Sequence, residues 1–119
     1  MKLRNRILAV TAAFVAAAGM AFAHAHPKTM TPAADSTVSD PHRISIEFSE
    51  ALEGKFSSIK LADAQGTIVS KATSQLDSAD AKHMTLDLPH LAPGVYTVKW
   101  VTVATDGHRL EGAYKFTVK

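Results

Sequence analysis

The sequence predicts an all-β fold, an antiparallel sandwich of seven strands with two facing apolar layers, and three observations carry that expectation. Short stretches alternate apolar and polar residues with the period of two that marks a half-buried strand. Turn formers separate these stretches at intervals of about a dozen residues. No segment beyond residue 25 sustains the periodicity of an amphipathic helix.

The elements follow in order. A first strand lies near Lys28–Thr31, and a second alternates Ile44, Ile46 and Phe48 after the Asp40-Pro41 turn. Ile59 and Leu61 mark the third, after Gly54, and Thr67–Lys71 forms the fourth, after Gln65-Gly66. Met84, Leu86 and Leu88 mark the fifth, beyond the turn-rich Asp77 to Asp80. Tyr96, Val98 and Trp100 belong to the sixth, which follows Pro93-Gly94 and ends near Val103; Tyr114, Phe116 and Val118 belong to the last, after Asp106-Gly107. The inward set is Ile46, Phe48, Ile59, Leu61, Leu86, Val98, Trp100, Phe116 and Val118, each worth roughly 1.5–3 kcal/mol when fully buried. A lone Trp in such a strand reads as core rather than as a binding platform.

At 119 residues the chain holds one compact domain, which excludes a multidomain enzyme. Met1–Arg6 is cationic, Ile7–Ala18 is almost unbroken apolar sequence, and Ala21-Phe22-Ala23 and Ala23-His24-Ala25 are small-x-small cleavage patterns. This is the layout of a secretory signal peptide, placed at residues 1–25, with the working domain at 26–119. A membrane anchor fits less well, because the apolar run is barely long enough for a ~30 Å hydrocarbon core. Lys2, Arg4 and Arg6 leave with the leader, so ten basic side chains face eleven acidic ones in the remainder. The near-neutral domain has no basic surplus to attract nucleic acid or an anionic membrane. Export would permit disulfides, yet the chain has no Cys, so packing alone holds the domain together.

The Ser and Thr residues occur without a Gly-x-Ser-x-Gly nucleophile elbow, and the six glycines form neither Gly-x-Gly-x-x-Gly nor a phosphate-binding loop. Histidine remains, and histidine serves chiefly metal binding and pH response. His42, His83 and His90 read as exposed loop residues. His24 and His26 flank the cleavage patterns, where a new terminus supplies a free amine whose pKa near 7.7–8.0 lets it bind a metal at modest cost. Cleavage after Ala25 leaves His26-Pro27; Pro27 has no amide N–H, so Cu(II) would be held by the amine and ring of His26, with two positions open to the fold. Cleavage after Ala23 leaves His24-Ala25-His26, in which the amine, two amides and the His26 ring could chelate Cu(II) unaided. Asp106-Gly107-His108 is the best source of further ligands, since an Asp and a His two apart converge where the backbone is extended.

These residues resemble the CopC-type periplasmic copper-binding proteins, including their YobA-like branch. The resemblance rests on His26-Pro27-Lys28, Phe48-Ser49-Glu50-x-Leu52, Pro93-Gly94-x-Tyr96-x-Val98-x-Trp100, Asp106-x-His108 and Tyr114-x-Phe116-x-Val118-Lys119. It implies a seven-stranded Greek-key sandwich, cupredoxin-like or immunoglobulin-like, with a Cu(II) site at one edge. The implied ligands are the amine and ring of His26, the Asp106 carboxylate and the His108 ring, with Glu50 as a neighbour of the metal or a weak ligand. Some members of the family also hold Cu(I) in a Met-rich loop. Here the corresponding Leu61–Thr73 stretch has neither Met nor His, and Met30 and Met84 read as packing residues, so a Cu(II)-only member is implied.

Three nitrogens and a carboxylate in a near-planar set suit Cu(II) on chemical grounds as well, since Cu(II) heads the Irving–Williams order. The expected function is a periplasmic, monomeric Cu(II) carrier without catalysis, its copper sequestered or passed to an inner-membrane CopD-type transport protein. Two other readings compete with it: a copper oxidase with an N-terminal histidine brace, and an exported structural domain with no metal role.

Overall fold

The structure, a computed structural model, describes residues 24–119; the predicted leader, but for its last two residues, lies outside the described residues. Among them are eight strands: β1 (Pro27–Thr31), β2 (Thr37–Val38), β3 (Arg43–Phe48), β4 (Ser58–Ala62), β5 (Gln75–Leu76), β6 (His83–Asp87), β7 (Gly94–Val103) and β8 (Arg109–Val118). They form two four-stranded sheets, ordered β1-β3-β6-β5 and β2-β8-β7-β4. The all-β sandwich is therefore as expected, and its strand inventory differs in three respects. The two-residue strands β2 and β5 are too short to alternate visibly in sequence. β2 runs parallel to β8, pairing Thr37 with Thr117 and Val38 with Val118, so the sandwich is not wholly antiparallel. Thr67–Lys71 is not a strand.

The reason for that last difference is chemical. The stretch turns back on β4 through the Asp63 carboxylate, which accepts from the amides of Gln65 and Thr67, and only Ile68 bridges to Ala62. The edge amides of Leu61 and Ile59 donate instead to the hydroxyls of Ser70 and Ser74. Side-chain oxygens thus take over part of a ladder, of which the backbone keeps the bonds from the Asp63 amide to Thr67 and from the Val69 amide to Leu61, the competition that Ser characteristically offers.

Alternation places the core as predicted. All nine residues of the inward set are buried, joined by Ile44, Leu52, Met84, Leu91, Tyr96 and Ala104. Trp100 meets Phe48 edge-on across the two sheets at a centroid distance of 5.9 Å, and Tyr96 stacks on Phe116 at 6.1 Å. The indole lies over Gly112, its cross-strand partner, so closely that a Cβ there would stand 2.4 Å from Trp100 Cζ2. Met84 is buried and Met30 packs against the core from its rim, which makes both of them packing residues.

The register fixes the two ends of the sandwich. β7 and β8 form a ten-residue hairpin whose last pair is Val103 with Arg109, so the Ala104–His108 turn caps one end. Pro27 pairs with Phe48, which brings the start of β1 and the Ser49-Glu50 segment to the same end. Leu52 bridges to Ala104, and the Thr105 amide donates to the Ala51 carbonyl, closing this end. The β2–β3 and β6–β7 connections lie at the other.

Candidate metal centre

The site is built from three segments. The first is the Asp106-Gly107-His108 turn. Gly107 adopts φ +89°, a left-handed conformation that costs glycine nothing, and its amide donates to the Ala104 carbonyl. The turn lets Asp106 bind its neighbour twice: Oδ1 accepts from the His108 amide and Oδ2 from His108 Nδ1, both at 3.0 Å. The ring donor, and after it the amide, hold the Asp106 carboxyl below the ordinary carboxylate range. Both side chains are a little under half exposed. A carboxylate that fixes a histidine tautomer in this way is the usual orienting partner of a metal-binding imidazole, and it is also a donor in its own right.

The second segment is Ser49-Glu50. The Ser49 hydroxyl donates to the His24 carbonyl at 3.0 Å and accepts from the His26 amide at 3.1 Å, while the Ser49 amide donates to the His26 carbonyl. Glu50 follows directly, half-buried, between this clasp and Ala51, whose carbonyl holds the Asp106 turn.

The third segment is His24-Ala25-His26. His26 Nδ1 donates to the His24 carbonyl at 3.0 Å and lies 3.2 Å from the Ser49 hydroxyl. Ala25 is wholly buried and belongs to the core cluster. Its carbonyl accepts from the hydroxyl of Thr102, itself wholly buried, at 2.7 Å. This anchor turns the His24 ring toward the Asp106 turn, where its centroid stands 5.8 Å from that of His108.

The structure thus sets the His24 ring beside that of His108, which Asp106 holds, and the His26 ring against Ser49 and the His24 carbonyl. Among the described residues, no three His, Asp or Glu side chains stand together as a ready-made metal site. The amine that sequence reasoning assigns to the site exists only after the leader is removed. Sequence reasoning missed Thr102 and Ser49 as anchors. Thr102 had left a signal, since it shares the inward register of Val98 and Trp100 and a polar group there needs a partner.

The remaining histidines divide. His42 and His90 are exposed, as expected. His83 is not an exposed loop residue: it opens β6, is half-buried, and lies between the Ser45 hydroxyl at Nε2 and the Asp77 carboxylate at 3.7 Å from Nδ1. The Asp77 carboxyl is held below its ordinary range, first by the Ala79 amide and then by the His83 ring.

Comparison with known proteins bears on this geometry. Residues 27–119 match the profile of the CopC domain family. YobA of Escherichia coli strain K12 is 36% identical over 100 residues, spanning 82% of this chain and 81% of YobA. The crystal structure of CopC from Methylosinus trichosporium OB3b superposes with a TM-score of 0.76 at 33% identity, over 81% of this chain and 94% of that one. PcoC from Escherichia coli, a methionine-rich copper resistance protein, superposes with a TM-score of 0.74 at 36% identity, over 82% of this chain and 100% of PcoC.

Proposed function

Since this chain belongs to the CopC domain family, we propose that it is an exported, periplasmic, monomeric Cu(II)-binding protein. It sequesters copper or delivers it to a CopD-type inner-membrane transporter, and it catalyses nothing. The observation that carries the reading is the 5.8 Å separation of the His24 and His108 rings beside the Asp106 carboxylate. With metal–imidazole bonds of ~2.0 Å, two rings on one ion have centres roughly 4.5–6.3 Å apart, from the cis to the trans arrangement.

The ligand set follows from what the fold leaves available. Asp106 and His108 keep the roles expected of them. At the terminus, His24 takes the place that sequence reasoning gave to His26. A chain cut after Ala25 would lose a core residue and leave the buried Thr102 hydroxyl without its Ala25 partner, whereas a cut after Ala23 spares both. The amine and ring of His24 then join the His108 ring and the Asp106 carboxylate, a set of three nitrogens and one oxygen suited to Cu(II). The amide of His26 is held by Ser49 and its ring by the His24 carbonyl. A free chelate through Ala25 and His26 would have to dismantle that clasp, so His26 flanks the metal without binding it, and Glu50 keeps its expected place as a neighbour of the metal or a weak ligand.

The test is a Cu(II) titration of the processed protein followed by EPR, with the terminal residue read by mass spectrometry. We expect one tight equivalent on a chain that begins at His24. It should weaken strongly when the amine is blocked, change spectrum in His108→Ala and Asp106→Ala, and keep its spectrum in His26→Ala. Undiminished affinity with a blocked amine would overturn the site. Rapid copper-dependent oxygen consumption with ascorbate would overturn the carrier.

A further inference from the structure

At the end of the sandwich remote from the copper site, one carboxylate stands between two imidazoles. Asp40 Oδ2 lies 3.4 Å from His42 Nε2, and Asp40 Oδ1 lies 3.8 Å from His90 Nδ1. We propose that Asp40, His42 and His90 form a second, lower-affinity site for a divalent transition-metal ion of the Zn(II) and Cu(II) class. The site is separate from the terminal one and needs no processing of the chain.

The distances are informative. The 3.8 Å approach is too long for a hydrogen bond and the 3.4 Å one is at its outer limit, so these exposed pairs owe little to direct contact. Donors around a tetrahedral ion with ~2.0–2.1 Å bonds, by contrast, are themselves about 3.4 Å apart. No preassembled triad exists among the described residues. Both rings are exposed, with side chains 82% and 87% accessible, and so are free to turn toward the Asp40 carboxylate.

The backbone does the rest of the positioning. Asp40 sits at φ +45°, a left-handed conformation that Asp tolerates, and Pro41 stiffens the step from it to His42. The Leu88 amide donates to the His42 carbonyl at 2.9 Å, tying the β2–β3 connection to the end of β6. Pro89 then leads directly to His90, so each histidine follows a residue of fixed φ. Two imidazoles and one carboxylate leave the remaining positions of the ion to water. Such an open, solvent-facing site would exchange its ion readily, which suits buffering or relay rather than storage.

The experiment uses Zn(II) alone, titrated by calorimetry into the full protein carrying His108→Ala and with its amine acetylated, so that the terminal site has lost two of its four donors. One equivalent should bind. In His42→Ala and in His90→Ala its affinity should fall tenfold or more, while His83→Ala leaves it unchanged. On the unblocked protein, a second equivalent of Cu(II) should bind at least tenfold more weakly than the first and vanish in His42→Ala, with the EPR spectrum of the first preserved. The proposal is overturned if blocked protein takes up no Zn(II) at millimolar concentration, or if uptake is the same in both alanine variants.

Discussion

Thr102→Val tests the anchor on which the copper reading turns. Thr102 is wholly buried, and its hydroxyl donates at 2.7 Å to the carbonyl of Ala25, which is buried too. Valine nearly matches threonine in shape, so the substitution opens little space; it removes the short bond to Ala25 and a long 3.4 Å one to the Leu110 carbonyl, and leaves the buried Ala25 carbonyl unsatisfied. Such a group costs about 1–3 kcal/mol. In a domain of this size each kcal/mol lowers Tm by about 4–8 °C, so the expected loss is roughly 4–24 °C. The sole tryptophan, Trp100, sits on the same strand and reports unfolding by its fluorescence. Two chains should be compared, one beginning at His24 and one at His26. The substitution destabilises the first; in the second Ala25 is absent, and valine is neutral or mildly stabilising. Cu(II) affinity should fall in the first chain by about tenfold for every 1.4 kcal/mol of anchoring lost. Equal destabilisation of both chains would refute the reasoning, because the Ala25 carbonyl could not then be its source.

Three further outcomes follow from the same coordinates. Gly112→Ala places a methyl 2.4 Å from Trp100 Cζ2, so the indole must shift; the overpacking should cost about 1–3 kcal/mol in urea unfolding and alter the Trp emission. The Tyr114 hydroxyl is buried with no hydrogen-bond partner among the described residues, and burial pushes the phenol pKa above its usual value. Removing the hydroxyl in Tyr114→Phe should therefore leave stability unchanged or raise it by about 1 kcal/mol in thermal melts. Asp106, whose folded pKa is lowered below 3.8 by the His108 ring, supplies its charge at every pH above that value and loses it only as pH falls through the lower folded pKa. Cu(II) affinity, followed by competition titration, should thus show no break from Asp106 until below pH 3.8.

Legibility from sequence tracked the length and regularity of each element. β3, β6, β7 and β8 alternate over five or more residues and were found in register, so the core followed residue by residue. β2 and β5 have two residues each and exist through their partners, which no local pattern encodes. Thr67–Lys71 shows the converse, since Ile68 and Val69 look like strand residues and Ser70 spends its hydroxyl on the Leu61 amide. His83 was read as exposed because its partners, Ser45 and Asp77, come from another strand and from the β5–β6 connection.

The candidate site divides in the same way, and the division is why the proposal moves from His26 to His24. The contact between Asp106 and His108 was legible because it is local, an i, i+2 pair across a glycine turn. The proposed third partner rests on a contact 77 residues apart in sequence, Thr102 with Ala25, which on this proposal sets where the domain begins. Two cleavage patterns two residues apart differ little as sequence and greatly as structure: one keeps Ala25 in the core, the other strips it out. On the proposed reading, the buried threonine sets the register of the terminus, and proteolysis then converts the His24 amide into an amine. An amide nitrogen gives up its proton to a metal at high cost, whereas an amine with a pKa near 7.7–8.0 does so cheaply. The uncut chain therefore offers the copper one donor fewer than the folded, trimmed one, and with it loses the chelate that the amine closes with the His24 ring through Cα and Cβ.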